Sequence, residues 1–206
     1  MTTQEISREE GSSKVLANAP AQPSSNVPYD PRAVANLILE EGERTRSSVT
    51  NLAMQKLLYF AHGFFLIEHK RPLVSGYFEA WQLGPVHPVA YQAFKAAGDR
   101  PINFRATGQD VLTGAPKELP PLADPTIRRH IERIMASYGA LTAGRLVDIS
   151  HAKGGPWDFV VNKGRTGVAI GLRISDDVIA DRFKYHKVSV GDSPKIGEPG
   201  EDSPFT

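Results

Sequence analysis

Residues 51–70, NLAMQKLLYFAHGFFLIEHK, carry the strongest helical pattern of the chain and decide its fold. Apolar side chains recur at three- and four-residue spacing along one stripe, at Met54, Leu57, Leu58, Ala61 and Phe65. Further apolar residues occupy the opposite side, and Thr50 stands at the N-cap position. Because a helix that is apolar nearly all round is usually enclosed by other elements, we predict that it forms the centre of a compact, mainly α-helical domain.

Shorter helical segments precede and follow this one. Four of them are marked by an N-capping residue before an apolar stripe, at Asp30, Asp124, Thr142 and Ser175. Pro88 is predicted to open another helix, and Gly42 is predicted to end the first one. Residues 99–123 read as a long connection with one short strand near Ile102. Residues 153–164 read as a break followed by a short apolar piece.

A short extended region follows the central helix. A Ser-Gly turn signal separates two strand-like pieces, and we predict a small β hairpin over about residues 73–82. Alternation places Glu79 and Trp81 on one face of its second strand, and the Gly-Pro pair at 84–85 is predicted to stop that strand. Residues 166–175 also have strand character.

The two ends of the 206-residue chain differ in composition from its middle. Residues 1–28 are rich in Ser, Ala, Pro, Gln and Asn, and residues 189–206 have the same character, so neither end holds enough large apolar side chains to offset the entropy of ordering. We therefore predict disordered tails on one helical domain at 29–188. Residues 31–190 carry 21 basic and 15 acidic side chains, whereas both ends are acidic, so the domain is mildly basic.

Composition excludes several classes of protein. With 40% hydrophobic and 23% charged residues, the chain is ordinary for a globular protein. It has no cysteine, which excludes disulfides and thiolate chemistry and favours an intracellular location. The first residues hold no apolar run of signal-peptide length, and polar residues interrupt every longer apolar stretch. We expect a cytoplasmic protein without a membrane span.

No metal or cofactor motif accompanies the six histidines. None of them forms a HExxH, a HxH or a Cys/His array, and His62 and His69 lie two helical turns apart, too far for a close pair of ligands. Neither GxxxxGK[ST] nor GxGxxG occurs, so nucleotide binding has no support. We predict no metal site and no cofactor.

Catalysis is one alternative that these residues leave open. Ser150, His151 and Asp148 supply the residue types of a hydrolase triad, but neighbouring helical residues cannot all face one another, and no GxSxG turn is present. A general acid–base pair of Glu79 with His62 or His151 is conceivable. It requires two of these side chains to share one solvent-accessible cleft. We predict instead that the protein has no catalytic residues and is not an enzyme.

Nucleic acid binding is a second alternative. Arg128, Arg129 and Arg133 lie away from the apolar stripe of their helix, where they are able to contact phosphates. No helix-turn-helix recognition pattern accompanies them, and a solvated basic face explains them as well. A DNA-binding autoregulator therefore stays an alternative and not the leading interpretation.

An ordered set of motifs connects the chain to a known family. NLAMQKLLYFA at 51–61 is followed by FEAW at 78–81, by GPV at 84–86 and by a Pro-x-x-Tyr helix start at 88–91, with a looser Ser-His and Pro-Trp pattern near 150–157. This order resembles the Panacea domain, or SocA-like antitoxin domain, of phage-associated proteins. The motif residues singled out are Gln55, Lys56, Tyr59, Glu79, Trp81, Gly84, Pro85, Tyr91, His151 and Trp157.

The resemblance implies an interaction protein. Members of that family resemble antitoxins encoded beside a variable toxin, which they neutralise by direct binding, and at least one branch brings its toxin to an ATP-dependent protease. Related proteins lie in prophages and mobile elements. The family assigns no catalytic residues, so we expect the motif residues to shape the domain or to face the partner.

Overall fold

The computed structural model describes residues 28–164 and 172–186. These ranges contain seven α-helices: α1 Pro31–Thr45, α2 Asn51–His69, α3 Pro88–Phe94, α4 Pro125–Tyr138, α5 Ala143–Ser150, α6 Pro156–Gly164 and α7 Asp176–Arg182. They also contain five short strands: β1 Phe78–Trp81, β2 Gly84–Val86, β3 Thr107–Gln109, β4 Pro116–Glu118 and β5 Arg173–Ile174. The prediction of a mainly α-helical fold with a small β element is confirmed.

Helix α2 is the central element, as its sequence predicts. Fourteen of its 19 residues are buried, and it packs against α1, α3, α4, α5, α7 and β2. Before the exposed residues Glu68 and His69 at its end, the only positions of α2 that keep partial exposure are Leu52, Phe64 and Ile67. Because the helix touches elements on every side, its apolar residues serve one continuous core.

The predicted helix starts are confirmed by their caps. The side chains of Asp30, Thr50, Asp124, Thr142 and Ser175 each accept a hydrogen bond from a backbone N–H of the first helical turn. The predicted end at Gly42 is wrong. Helix α1 continues to Thr45 and ends at Arg46, whose φ is 57°. A glycine inside a helix costs only about 1 kcal/mol, so Gly42 does not have to end α1. The chain turns away after Thr45, where Ser47 N donates a hydrogen bond to Gly42 O.

Of the hairpin predicted over about 73–82, only the second strand is formed, as β1, and its hairpin partner is β2 instead of the 73–74 segment. Strand β1 pairs antiparallel with β2 on one side and with β5 on the other, in the order β2-β1-β5. The Gly-Pro pair at 84–85 thus begins a strand instead of only stopping one. Residues 73–75 are not part of the sheet, because their backbone pairs with Tyr29 instead. The N–H of Tyr29 donates to Leu73 O, and its carbonyl accepts from Ser75 N, both at 2.8 Å.

Two further elements differ from the sequence-based expectation. The connection 99–123 contains a second hairpin, β3–β4, and not a strand at Ile102. Residues 156–164, read as a break with an apolar piece, form α6. Of the strand-like stretch 166–175, Arg173 and Ile174 form β5, and 165–171 lie outside the described residues.

Two sets of expectations concern the ends of the chain and membranes. The predicted disordered tails, 1–28 and 189–206, fall outside the described residues except for Pro28. Within the described ranges, no helix has the length and apolar character that a bilayer crossing requires.

Candidate functional site

Nine of the ten motif residues meet around the β1–β2 hairpin. They come from α2, from the hairpin, from α3 and from the region where α5 ends and α6 begins. We call this region the β1–β2 corner and define it by Gln55, Lys56, Glu79, Trp81, Gly84, Pro85, Tyr91, His151 and Trp157. Their contacts determine what this part of the molecule is able to do.

Gln55 joins the central helix to the start of α3. Its side chain is buried, and its Oε1 accepts a hydrogen bond from His87 N at 3.1 Å. Its Nε2 donates to Asn51 Oδ1 at 3.0 Å, and Asn51 Nδ2 donates to Tyr91 O at 3.4 Å. The Gln55 amide therefore satisfies the backbone N–H of His87 just before α3, and Asn51 satisfies a carbonyl in the last turn of α3.

Lys56 is a fully buried lysine beneath β2. Its Nζ donates to Pro85 O at 3.0 Å. Gly84, at a φ of 104°, brings the strand this close, since a Cβ there would lie 3.1 Å from Lys56 Nζ and 2.5 Å from Ser150 Oγ. Burying an ammonium group is unfavourable unless it is hydrogen-bonded, so the lysine and the strand carbonyl depend on each other.

Trp81 in β1 packs against Tyr91 of α3. Its side chain keeps 7% of its exposure, its Nε1 donates to Glu79 Oε2 at 2.7 Å, and its ring lies 4.8 Å from the ring of Tyr91. Trp157 then donates from its Nε1 to Trp81 O at 2.8 Å. The two tryptophans therefore connect β1 to α3 through an edge-on ring contact and to α6 through a hydrogen bond.

His151 lies flat against Trp157. The ring centroids are 3.7 Å apart at an angle of 13°. Burial, helped by the positive charge of nearby Lys56, lowers the pKa of His151 to about 4. Its Nε2 is buried and has no hydrogen-bond partner in the described part of the chain. The imidazole is therefore neutral at pH 7 and packs as an aromatic ring.

Tyr59, the tenth motif residue, lies apart from the corner in an aromatic cluster. It is fully buried, and its ring contacts Phe78 and Phe183 at centroid distances of 5.5 and 5.6 Å. Its hydroxyl is 3.5 Å from His186 Nε2. Burial raises the pKa of this phenol well above its ordinary value, so Tyr59 is a neutral core residue.

The residues considered for catalysis each bind a different neighbour. His62 Nε2 lies 3.0 Å from Asp176 Oδ1, whereas Glu79 bonds to Trp81 and Ser150 Oγ donates to Val147 O at 2.8 Å. Among the described residues, no hydrogen bond joins His62, Glu79 or His151 to one another. The cleft that the acid–base interpretation requires is not formed by these side chains.

The arginines considered for nucleic acid are engaged with other groups. Arg128 pairs with Glu40 at 2.9 Å, Arg133 pairs with Glu68, and Arg129 Nε donates to Pro125 O. Two of the three positive charges are thus paired with carboxylates of the domain, and Arg129 is bonded to a backbone carbonyl. As for metals, no cluster of three or more His, Asp or Glu side chains with ligand geometry occurs in the described ranges.

Sequence reasoning missed three contributors to the corner. Asn51 and the backbone of His87 complete the Gln55 network, and Ser150, considered before as a nucleophile and as part of the Ser-His pattern, contacts the Gly84 backbone closely. A signal for Asn51 exists, since it lies one helical turn before Gln55. Nothing local to Ser150 indicates its neighbour 66 positions away.

Comparison with known proteins gives three findings. The family described as Antitoxin SocA-like, Panacea domain, matches residues 54–158, a range that includes the β1–β2 corner and the β3–β4 hairpin. A curated protein, Antitoxin SocA of Caulobacter vibrioides (strain NA1000 / CB15N), is 49% identical over 175 residues, which cover 85% of this chain and 93% of that protein. No solved structure matches the chain.

Proposed function

This chain belongs to the Antitoxin SocA-like, Panacea domain family, and from that premise we propose that it is an antitoxin that binds and neutralises a toxin protein encoded near its own gene. The observation that carries the proposal is the 49% identity to an antitoxin over 85% of this chain. Such extensive similarity covers the core and the surface together, so it supports a shared role as well as a shared fold.

The structure is consistent with action by binding. The side chains with catalytic potential are engaged in packing and capping, as described for His62, Glu79 and His151. A protein that masks its target needs a shaped surface on a stable core, and large complementary surfaces are the usual basis of inhibition by a protein. Neutralisation by occlusion is therefore the simplest mechanism for this domain.

We further propose that the β1–β2 corner maintains the shape of the domain and does not contact the toxin through its centre. Gln55, Lys56 and Gly84 are buried, and Trp81 retains 7% of its exposure. Glu79, His151 and Trp157 keep partial exposure, so a partner that reached this region would contact them first. The neutralising unit in this proposal is the domain at 29–188.

Co-expression is the direct test. The neighbouring open reading frame is placed under an inducible promoter in a host lacking both genes, with and without this protein, and growth is followed. We expect growth arrest from the neighbour alone, rescue by the antitoxin, and co-purification of the pair. A Trp81→Ala variant, whose fold should be strongly destabilised, provides the control with reduced activity. If no adjacent gene is toxic and nothing co-purifies, the proposal is wrong.

The finer proposal is that, in addition to being masked, the bound toxin is delivered to an ATP-dependent protease in the cytoplasm. What supports it is the family resemblance. The half-life of the toxin, measured after translation is stopped, should shorten when the antitoxin is present and lengthen again when the protease gene is deleted. A half-life that does not depend on the antitoxin, in cells that it rescues, favours masking alone.

A further inference from the structure

The β3–β4 hairpin ends in a turn whose two central side chains are apolar and almost entirely exposed. Val111 is 97% exposed and Leu112 is 94% exposed, far more than any other large apolar side chain among the described residues. An isolated exposed leucine is ordinary. Two adjacent ones at the end of a projecting hairpin form a patch that contacts no other part of the domain, and such patches mark interaction sites.

The turn itself is ordered by the side chain of Asp110. Its Oδ1 accepts hydrogen bonds from Leu112 N, Thr113 N and Thr113 Oγ1 at 3.0–3.1 Å. Asp110 N also donates to Ala115 O, and Gly114 N donates to Asp110 O, both at 2.8 Å. The two apolar side chains are therefore presented in one backbone conformation, which lowers the entropy lost when a partner covers them.

The base of the hairpin is fastened to α1. Asn36 makes two hydrogen bonds with the backbone of Ala106, donating to its carbonyl and accepting from its N–H, each at 2.9 Å. Arg32 Nη1 donates to Thr107 O at 3.1 Å. Because these bonds fix the base, the tip does not fold back to bury Val111 and Leu112 on the body of the domain.

An open groove of about 700 Å³ runs between α3 and the hairpin. Its apolar lining includes Phe104, Pro116 and Val89, and Val89 is 48% exposed. The two arginines at its edge are paired inside the domain, Arg32 with Asp30 and Arg105 with Glu43, each at 2.7 Å. The groove thus offers apolar contact next to the tip, with its cations already balanced.

We propose that Val111 and Leu112 are an apolar anchor that inserts into a pocket of a folded protein partner, while a ridge beside that pocket occupies the groove. The exposed turn and the adjacent groove together fit a partner surface that has a pocket beside a ridge. A folded protein offers such a surface, whereas a single extended peptide does not. The balanced arginines give a polyanion little to bind. The partner is the toxin, an assignment that rests on the proposed function.

The test uses the full-length protein and the purified neighbouring gene product. In V111S/L112S the anchor is lost, and we expect the dissociation constant, measured by calorimetry, to rise on the order of a hundredfold, from the apolar burial of two such side chains. The matched control V111I/L112M keeps the tip apolar and should bind like the natural chain. Asp110→Ala frees the turn while retaining both apolar side chains, so it should weaken binding to a smaller extent.

Each outcome decides between the two proposals. If the natural chain binds the toxin and V111S/L112S binds equally well, the anchor is overturned and the proposed function stands. If the natural chain does not bind the neighbouring product, both fall. A dimer, seen by sedimentation, that V111S/L112S abolishes would assign the tip to a second copy of this chain and overturn the toxin assignment. Co-sedimentation of the natural chain, but not of V111S/L112S, with phosphatidylcholine–phosphatidylglycerol vesicles would assign the tip to a lipid surface and would also overturn the toxin assignment.

Discussion

The domain contains two short antiparallel hairpins, β1–β2 and β3–β4, that differ in how their conformation is maintained. Around β1–β2, side chains from α2, α3, α5 and α6 pack on the strands, and every residue of β2 is buried. In β3–β4, only Gly108 is buried, and the strands are attached at one end by Asn36 and Arg32. The first hairpin is part of the core, whereas the second extends from it.

This difference predicts how far the effect of a substitution on stability should extend in each hairpin. A change in the β1–β2 corner removes packing that several elements share, so its effect should reach the whole domain. A change in β3–β4 should alter that hairpin and what it contacts, with little change in the stability of the rest. The corner therefore relates to folding and the β3–β4 hairpin to recognition.

The largest expected effect is that of Trp81→Ala. It removes a ring packed on Tyr91 together with the hydrogen bond to Glu79, and large-to-small aromatic changes in a core cost about 3–5 kcal/mol of unfolding free energy. Urea denaturation should show this loss. Trp81→Phe, which keeps a ring without the N–H donor, should lose much less. An unchanged urea midpoint for Trp81→Ala would contradict the assignment of Trp81 to the core.

Gly84→Ala should rank second and has a counterpart in the other hairpin. The new Cβ would lie 2.5 Å from Ser150 Oγ at a φ of 104°, so strain and overpacking together should cost about 2–4 kcal/mol. Gly114→Ala in β3–β4, at a φ of 69° with nothing within 4 Å, should cost only about 1–2 kcal/mol. Equal losses would remove the distinction between the two hairpins.

Acid should weaken the corner before the β3–β4 turn. The pKa of His151 falls from its ordinary value of 6.5 to about 4 on folding. The unfolded chain therefore binds the extra proton first, and stability is lost as the pH falls from 6.5 towards 4. His87, His130 and His186 shift in the same direction because of burial. His151→Phe, which retains the stack on Trp157, should reduce the slope of stability against pH in this window.

The carboxyl of Asp110 also loses its contribution as the pH falls, but in a lower pH range than His151. Hydrogen bonds from Thr113 and Leu112 lower its pKa, so the turn keeps its order until the pH drops below the ordinary range of an aspartate. Amide chemical shifts of residues 110–115 should accordingly stay constant between pH 6.5 and 4. A turn that changes together with the corner would show that the two hairpins are coupled.

Asn36→Ala should have a smaller effect on stability. It removes both hydrogen bonds that fasten Ala106 to α1, with an expected loss of about 1–2 kcal/mol. Hydrogen exchange should accelerate in residues 106–118 and remain unchanged in α2. Asn36→Asp retains the acceptor for Ala106 N–H but replaces the donor with a carboxylate oxygen that faces Ala106 O, so exchange in residues 106–118 should accelerate here as well. Faster exchange throughout α2 in Asn36→Ala would contradict a local role.

The smallest expected effect on stability is that of V111S/L112S. Both side chains are almost entirely exposed, so the melting temperature should match that of the natural chain, with a change in unfolding free energy within about 0.5 kcal/mol. A clear loss of stability would mean that the tip packs on the domain.

The sequence predicted those features that local physics controls. The capping residues, the first-turn prolines and the apolar pattern of α2 act within a few positions of one another, and their predictions are confirmed. The pairing of β1 with β5 was not predictable in the same way. Its partners, Arg173 and Ile174, lie more than 90 positions away, and a two-residue pairing has no local signature.

For the candidate site, the sequence identified the residues but not their arrangement. The order of the motifs indicated the family and singled out Gln55, Lys56 and Trp81. Which atoms they bind depends on backbone groups, such as Pro85 O and His87 N, whose direction a sequence does not reveal. The β3–β4 hairpin was missed because its strands contain Gly108 and Pro116, which disfavour strands. In addition, the residue that fastens its base, Asn36, comes from a distant helix.

By itself, the sequence determined the mainly helical fold, the central position of α2, the starts of six of the seven described helices and the family. Each of these follows from the spacing of apolar residues, from capping or from the order of motifs along the chain. Tertiary structure alone decided that Lys56 lies under Gly84, that His151 is neutral against Trp157, and that Val111 and Leu112 project into solvent. The physical reason is that burial, desolvation and close approach are properties of neighbours in space, and these neighbours are brought together only when the whole core has packed.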